Sequence, residues 1–485
     1  MNNKNLLLIN PWIYDFAAYD LWIKPTGILY MAALLRKHGY DISFIDCLDR
    51  WHPDLLKRQH REVPHGREDG RGKFYREEIE KPAILKQVPR KYCRYGIPED
   101  IFLHELEKVP DPFAIIVTSG MTYWYPGVQR AIALAKKHFP EAPVILGGIY
   151  ATLEEEHARK HSGADYVITG PGENSLTALV KHLEGVREYS YDNYATVDQL
   201  PYPAYDLVRV HQFLPILTSR GCPYRCSFCA SFRLFNSFYQ RDPLKVVEEL
   251  EYYIGTYKVK NIAFYDDALL LNSQNHIELI LKEVLRRGLK VSFHTPNGLH
   301  PKQIIPSLAE LMKEADFRTI RLSLESSDEQ RQKHMERKVT NSDFSRALEY
   351  LEAAGYERKT IEVYLLMGLP GQPLNEVIDS ISFVGSSGAK IRLASFSPIR
   401  GTVEWEKAVK EYGLDAQIDP LLLNKTCYPL QREGMDTSVF SRLRDYANEI
   451  NRTLEKGNYY LEKEALLHSL KSDLKLMQYK SAKVS

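Results

Sequence analysis

Apolar residues in the first 190 positions come in short runs separated by amphipathic segments. The runs Leu6 to Ile9, Ile42 to Ile45, Ala114 to Thr118, Val144 to Leu146 and Tyr166 to Ile168 have the length and composition of buried strands. Between them, Gly27 to His38 sets Leu29, Ala32, Ala33 and Leu35 on one helical face, and Val128 to His138 repeats the pattern; Gly39 and Pro140 supply the stops. Strand alternating with helix predicts a parallel α/β sheet. Residues 52–98 interrupt the rhythm with few apolar positions and many charges, which reads either as a partly ordered lid or as a solvated insertion. Residues 186–207, ending in Leu200-Pro-Tyr-Pro-Ala, predict an extended linker because prolines so spaced disfavour helix.

A second alternating series follows. Its expected strands are Ile216 to Ser219, Asn261 to Tyr265, Val291 to His294, Thr319 to Leu324, Ile361 to Leu366 and Ile391 to Phe396, with helices such as Pro243 to Tyr257, Ser273 to Arg287 and Ser342 to Ala354 between them. Six repeats of strand then helix predict a curved parallel sheet or partial barrel. The stretch 416–485 reads as helical, with apolar residues at helical spacing over Phe440 to Leu454 and Tyr459 to Met477, suited to packing, to closing the barrel's open side or to shaping a pocket. The expected divisions are an α/β domain over 1–190, a linker over 191–207, a core over 208–415 and a helical region over 416–485.

Ligands of parallel α/β sheets sit at the carboxyl ends of the strands, near the point where strand order reverses. In the first series those ends carry Asn10-Pro-Trp-Ile-Tyr-Asp, Asp46-Cys-Leu-Asp-Arg, Ser119-Gly-Met-Thr-Tyr-Trp, Gly147-Gly-Ile-Tyr-Ala and Thr169-Gly-Pro-Gly-Glu. Glycine there permits close backbone approach, and aromatics could cover a large flat ligand. Tight strand-to-helix turns also want glycine, so the set together, more than any one loop, points to a ligand-binding domain.

Composition narrows the class without choosing the chemistry. With 485 residues, 44% hydrophobic and 26% charged, the chain suits a globular protein of more than one core. The formal net charge of +1 gives no global attraction to nucleic acid. No apolar stretch nears the roughly 20 residues of a membrane span, and Leu6 to Ile9 ends at Asn10-Pro11, a strand rather than a signal peptide. Six cysteines in this length argue against a disulfide framework and for a reducing, cytoplasmic setting; Cys47, Cys93 and Cys427 stand alone and read as buried thiols.

The other three are Cys222-Pro-Tyr-Arg-Cys226-Ser-Phe-Cys229, eight residues that hold three thiols just beyond an expected strand. Structural zinc takes four ligands, often from two Cys-x-x-Cys pairs; no second pair exists, and neither His211 nor His294 has finger-like spacing. An iron–sulfur cubane on three thiolates leaves one iron open to a substrate or cofactor.

Cys222, Cys226 and Cys229, with the aromatic Phe228 before the last, resemble the motif of the radical S-adenosylmethionine (radical SAM) family. The resemblance implies a [4Fe-4S] cluster whose open iron is chelated by S-adenosylmethionine, reductive cleavage of the sulfonium, and hydrogen abstraction by a 5′-deoxyadenosyl radical. It further implies that Tyr265, Asp266 and Asp267, ending the second strand, lie at the methionine amino group. Ser323 and Glu325, ending the fourth, would lie at the ribose or methionine moiety, and Gly368 and Gly371 of Met367-Gly-Leu-Pro-Gly-Gln in the turn near the adenine. His294-Thr-Pro-Asn-Gly-Leu and Ser397-Pro-Ile-Arg-Gly-Thr fit the third and sixth strand ends.

A Rossmann-like domain ahead of such a barrel is similar to the cobalamin-binding (B12-binding) subfamily. This likeness implies that Ser119, Gly120, Gly147, Gly148, Gly170, Gly172 and Glu173 approach the corrin and its nucleotide tail. The Asp-x-His-x-x-Gly motif is absent, which disfavours histidine ligation beneath cobalt. The reaction so implied is cobalamin-dependent methylation of an unactivated carbon of a small molecule or peptide, fed by a reductant such as flavodoxin or ferredoxin. The alternatives are a radical cyclase, rearrangement or bond-cleaving enzyme without methyl transfer, and, in another class, a non-catalytic iron–sulfur electron-transfer or sensor protein. For the N-terminal domain the alternative is one that binds substrate or nothing.

Overall fold

The structure, a computed structural model, describes residues 4–186, 194–209, 212–336, 339–431 and 435–457, together with residue 472. His211 and, apart from position 472, the expected helix Tyr459 to Met477 lie outside the described residues. By internal contacts the chain forms two units. One holds Met1–Pro215, Ser231–Asn261 and Asp419–Leu422; the other holds Ile216–Ala230, Ile262–Ile418 and Leu423–Ser485.

The first unit is built on strands β1 (Asn5–Asn10), β3 (Asp41–Asp46), β6 (Ala114–Val117), β7 (Val144–Leu146) and β8 (Tyr166–Val167), within a residue of the expected runs. They form one parallel sheet in the order β3-β1-β6-β7-β8. Every residue of β1 is buried, as a strand covered on both faces requires, and helices Thr26–Lys37, Tyr125–His138 and Gly172–Leu183 bring their apolar faces to the core. The order reverses between β1 and β6, so the crevice such sheets use for ligands opens there.

Residues 52–98 are ordered. Strands β2 (Ile13–Asp15), β4 (Arg76–Glu78) and β5 (Cys93–Tyr95) make a small antiparallel sheet in the order β2-β5-β4. Its core is only Ile13, Phe74, Cys93 and Tyr95, flanked by Ala18, Leu48 and Trp124. Polar groups do the rest: buried Arg50 pairs with Asp20 at 3.0 Å and donates to the carbonyls of His65 and Gly70. Trp12 Nε1 donates to Ile97 O at 2.6 Å, and Trp22 Nε1 to Asp69 O at 2.8 Å. A segment held by hydrogen bonds to turns needs few apolar residues, which is why its pattern reads as loop.

Helix Pro243–Tyr257 belongs by its contacts to this first unit. Tyr253 packs edge-on against Tyr205 at 5.3 Å, and Arg241 joins Asp198 and Glu249, each at 2.7 Å.

The second series opens with β9 (Phe213–Ile216), and short strands β10 (Ser219–Arg220) and β11 (Tyr239–Gln240) follow. The first strand thus ends three residues earlier than the expected Ser219. Thr218 leaves the ladder because its N–H and hydroxyl both go to Asp266 Oδ1, at 3.0 and 2.8 Å. Strands β12 (Asn261–Phe264), β13 (Ser292–His294) and β14 (Phe317–Thr319) complete a sheet in the order β14-β13-β12-β9. A second sheet runs β15 (Arg321–Glu325), β16 (Glu362–Met367) and β17 (Lys390–Ser395), all parallel. The expected fourth strand therefore divides at Ile320, one part pairing with β13 and the other with β16. The Leu299–Leu322 bridge lies at this division, and the α/β curved-sheet class expected for this region stands.

Helix Thr437–Glu455 covers the free edge of β17, where the Asn451 amide accepts from Ile391 N at 2.8 Å and donates to Ile391 O at 2.9 Å. That edge is closed by a side chain acting as a ladder partner. Among the described residues no helix is long and apolar enough to cross a membrane.

Candidate cofactor sites

In the second unit the cysteine loop turns at Gly221, whose φ is 78°, and Cys229 N closes onto Cys226 O at 2.9 Å. Cys226 is buried, and Cys222 and Cys229 are half-buried. The loop is anchored on both sides. Tyr224 lies against His300 with ring centres 4.5 Å apart, and its hydroxyl accepts from Gln303 Nε2 at 3.3 Å. Ser227 Oγ donates to Glu404 Oε1 at 2.9 Å. Cys226 and Phe228 line one cleft with Ser323, Leu324, Glu325, Gln332, Met335 and Val339. Phe228 also packs on the apolar group Met335, Leu369 and Phe396, so it is both cleft wall and core.

The strand ends around this cleft are shaped by irregularities. Pairing of β15 with β16 slips between Ser323 and Glu325, and Glu325 takes a φ of 68°. A bulge re-aims a strand end, and left-handed backbone at a non-glycine residue is strain kept where a site needs it. Gly298 lies close beneath this bulge, where a Cβ would stand 2.0 Å from Ser323 Oγ and force that hydroxyl to turn. At the end of β12, Tyr265 is half-buried and Asp267 exposed. Asp266 is buried and turned to the protein: Thr218 N, Thr218 Oγ1 and Ser219 Oγ all donate to it. Burial pushes this carboxyl up to about 6, and the Ser219 and Thr218 bonds hold it from rising further. Asn297 fixes the same strand end by donating to the carbonyls of Tyr265 and Asp266 at 3.0 and 3.2 Å.

The turn after β16 is clamped by Gln372. Its Oε1 accepts from Gly368 N and Leu369 N at 2.8 and 3.2 Å, and its Nε2 donates to Leu366 O and Glu376 Oε1 at 3.1 and 3.0 Å. Gly368 and Gly371 hold φ values of 87° and 69° there. Asn297, Gln303, Gln372 and Glu404 were not singled out by the sequence reading. Of these Asn297 and Gln372 had a signal, their places in the His294-Thr-Pro-Asn-Gly-Leu and Met367-Gly-Leu-Pro-Gly-Gln strand ends.

In the first unit, Ser119, Gly147 and Gly148 interlock at the carboxyl ends of β6 and β7. Ser119 Oγ donates to Gly147 O at 2.7 Å and accepts from Ala151 N at 3.3 Å, while Ile149 N donates to Ser119 O at 2.9 Å. A Cβ on Gly148 would stand 2.4 Å from Ser119 O; one on Gly147 or Gly170 would meet almost nothing. Gly120 lies under Trp124, whose Nε1 donates to Asp15 Oδ2 at 2.8 Å. Gly170 N donates to Thr152 Oγ1 at 2.9 Å, Gly172 packs near Met31, and Glu173 is buried at the start of its helix. Met121 and Ile149 are 38% and 37% exposed on the same two loops, apolar surface left open at the sheet's binding edge.

With this geometry fixed, likeness to known proteins is decisive. The radical SAM superfamily model matches residues 216–384, and the B12 binding domain model matches residues 91–180. This chain is a radical SAM protein with an N-terminal B12-binding domain. It is 25% identical to an uncharacterized methyltransferase of Pyrococcus horikoshii over 65% of this chain and 74% of that one. It is 22% identical to the anaerobic magnesium-protoporphyrin IX monomethyl ester cyclase of Rubrivivax gelatinosus over 72% of this chain, and it spans 59% of that relative's length. Among solved structures, the radical S-adenosylmethionine methyltransferase TsrM from Kitasatospora setae shares the fold. The TM-score is 0.62 at 16% identity, covering 85% of this chain and 77% of that one.

The cofactors of these two domains are a [4Fe-4S] cluster with S-adenosylmethionine, and cobalamin. The donor set fits: three cysteines on one loop, with Cys226 lining a cleft, suit a soft iron–sulfur cluster, and a glycine edge flanked by exposed apolar residues suits a flat macrocycle. Another trio of ligand types, His52, Asp54 and Glu105, comes together in the first unit. There Glu105 is already paired with Lys108 at 2.7 Å and Arg209 at 3.2 Å, so a cation has little to gain.

Proposed function

We propose that this radical SAM enzyme is a cobalamin-dependent methyltransferase acting on an unactivated carbon of a small molecule or peptide. The observation that carries the reading is the cleft in which Cys226 and Phe228 meet Ser323 and Glu325, in a chain that also bears the Ser119 and Gly147-Gly148 edge. When bound, the cluster supplies the electron that cleaves S-adenosylmethionine, and cobalamin supplies the methyl carrier.

In this reading Cys222, Cys226 and Cys229 hold the cluster, and Phe228 walls the cleft beside it. Tyr265 and Asp267 bind the methionine amino group, while Asp266 acts through the backbone of Thr218 and Ser219 that leads to the cysteines. Ser323 and Glu325 bind the ribose or methionine moiety, and Gly368 and Gly371, set by Gln372, give the adenine a backbone surface. Ser119, Gly120, Gly147, Gly148, Gly170, Gly172 and Glu173 form the corrin and tail site. The domain assignment of 1–190 to cobalamin and 208–415 to the radical core is part of the same proposal, as are a flavodoxin- or ferredoxin-type reductant and a reducing, cytoplasmic setting for a chain with six cysteines.

The relative that is a cyclase keeps a second reading open: the same radical chemistry without methyl transfer. Anaerobic reconstitution followed by reduction with S-adenosylmethionine separates them once substrate is supplied. Methyl transfer gives S-adenosylhomocysteine together with 5′-deoxyadenosine; the cyclase reading gives only the latter. Release of neither would favour the electron-transfer or sensor role.

A further inference from the structure

We propose that Glu404 is a positioning residue for the cluster loop, holding the Cys226–Cys229 turn through Ser227 and lending it a negative charge. The inference rests on the reading that the three cysteines carry the cluster. Ser227 stands between two of the ligands, and both it and Glu404 are 3% exposed. One residue takes up two of its polar groups: Ser227 Oγ donates to Glu404 Oε1 at 2.9 Å, and Glu404 N donates to Ser227 O at 3.0 Å. A turn whose side chain and carbonyl are both tied to one partner cannot tilt without breaking both bonds.

The partner is itself rigid. Glu404 lies in the first turn of helix Val403–Tyr412, where Thr402 caps Trp405 N at 3.2 Å. Trp405 is packed with Ala408, Leu414 and Leu423, and the Arg400 guanidinium lies 4.5 Å over its ring and is fixed to Ile418 O at 2.5 Å. A ligand loop braced by a helix keeps its geometry better than one braced by another loop.

A strut alone would not need a carboxylate, since a glutamine oxygen could accept from Ser227 equally well. Glu404 Oε2 is buried and has no hydrogen-bond partner among the described residues. A carboxylate in the first turn of a helix lies where the backbone dipole favours negative charge. The charge therefore has a consequence at the loop. Added negative potential beside an iron–sulfur cluster makes it harder to reduce and, once reduced, a stronger reductant.

The test uses the full chain reconstituted anaerobically with iron and sulfide, with iron content, bleaching under a chelator and a reductive titration followed by electron paramagnetic resonance. Glu404→Ala and Ser227→Ala should bleach about 10-fold faster than the parent, the usual scale for losing a residue that orients a metal ligand. Glu404→Gln, which keeps both bonds, should bleach within about twofold of the parent yet reduce at a less negative potential. Thermal melts of the cluster-free chains guard against misfolding, and Glu404→Gln is near-isosteric. If the parent holds its cluster and both Ala variants bleach at the parental rate, the positioning role is overturned. An unchanged potential in Glu404→Gln overturns the electrostatic role. A parent that takes up no cluster would overturn the reading of the cysteines, and this inference with it.

Discussion

In the proposed reading, the carboxyl edge of the first sheet and the cysteine loop of the second unit each hold a cofactor, by opposite means. At Ser119, Gly147 and Gly148 the chain offers backbone and the absence of side chains, with every close contact made by main-chain or hydroxyl groups. Around Cys226 it offers thiols and packing side chains, braced by Tyr224, Ser227, Gln303 and Glu404. A large flat cofactor is held by area and needs clearance; a small cluster is held by covalent ligands and needs their aim. The two regions should therefore fail differently when changed.

The largest expected effect is at the cysteines proposed to hold the cluster. Cys226→Ala should abolish the iron–sulfur absorbance after reconstitution, while Cys47→Ala should leave it intact. Cys47 is fully buried, and burial pushes its thiol well above the ordinary range, so it stays an inert thiol. A Cys226→Ala chain that kept its cluster spectrum would remove the distinction between the two regions at once.

Next comes Gly148, whose φ of 98° and ψ of −164° lie in a region open essentially to glycine alone. Alanine would add backbone strain to a Cβ 2.4 Å from Ser119 O, a sum of about 3–5 kcal/mol of stability. Chemical denaturation measures it. A loss below about 1 kcal/mol would mean that the edge is soft rather than interlocked.

How far each region was legible in the sequence follows the same division. Three thiols at fixed spacing cannot arise from packing needs, so Cys222, Cys226 and Cys229 stand out from a single chain. Glycines at strand ends are wanted by any tight turn, so Gly148 and Gly170 look alike in sequence although one is locked and the other open. Strand positions were legible because β1, β6 and β7 are buried apolar runs. The break at Ile320 was not, since apolar runs do not say with which neighbour a strand pairs. Glu404, far from the cysteines in sequence, could be linked to Ser227 only by the fold.

Raised carboxyls in the two regions also invite a pH comparison. Asp49 in the first unit and Asp266 in the second are both pushed up to about 6, by burial above all; the Asp46 charge adds to this at Asp49, while Ser219 and Thr218 oppose it at Asp266. A native value above the ordinary 3.8 means that the folded state holds the proton more tightly. That contribution is full below about pH 4 and is lost as pH rises through 6, on the order of 3 kcal/mol for each group. Asp266→Asn keeps an acceptor for Thr218 and should flatten the fall in stability between about pH 4 and 6.5, leaving the share due to Asp49 and to the other raised carboxyls, Asp20 and Asp46. Denaturation midpoints across that range check it, and an unaltered slope would show that Asp266 does not titrate there.

Gly170 gives the smallest effect and the sharpest contrast with Gly148. Its φ is 70°, but nothing lies within 4 Å of where a Cβ would be, and Gly170 N keeps its bond to Thr152 Oγ1 in any substitution that holds the turn. Gly170→Ala should therefore cost only the left-handed penalty, about 1–2 kcal/mol of stability. If the glycine is there to let cobalamin approach, the added methyl should weaken corrin binding by roughly 10-fold at a temperature where the variant is fully folded, a loss that no protein contact can account for. Cobalamin titration followed by absorbance reads this directly. Parental affinity in Gly170→Ala would mean that the ligand does not come close to Gly170, and the corrin edge would then contract to the Ser119 and Gly147-Gly148 interlock, where ligand clearance and protein packing are the same constraint.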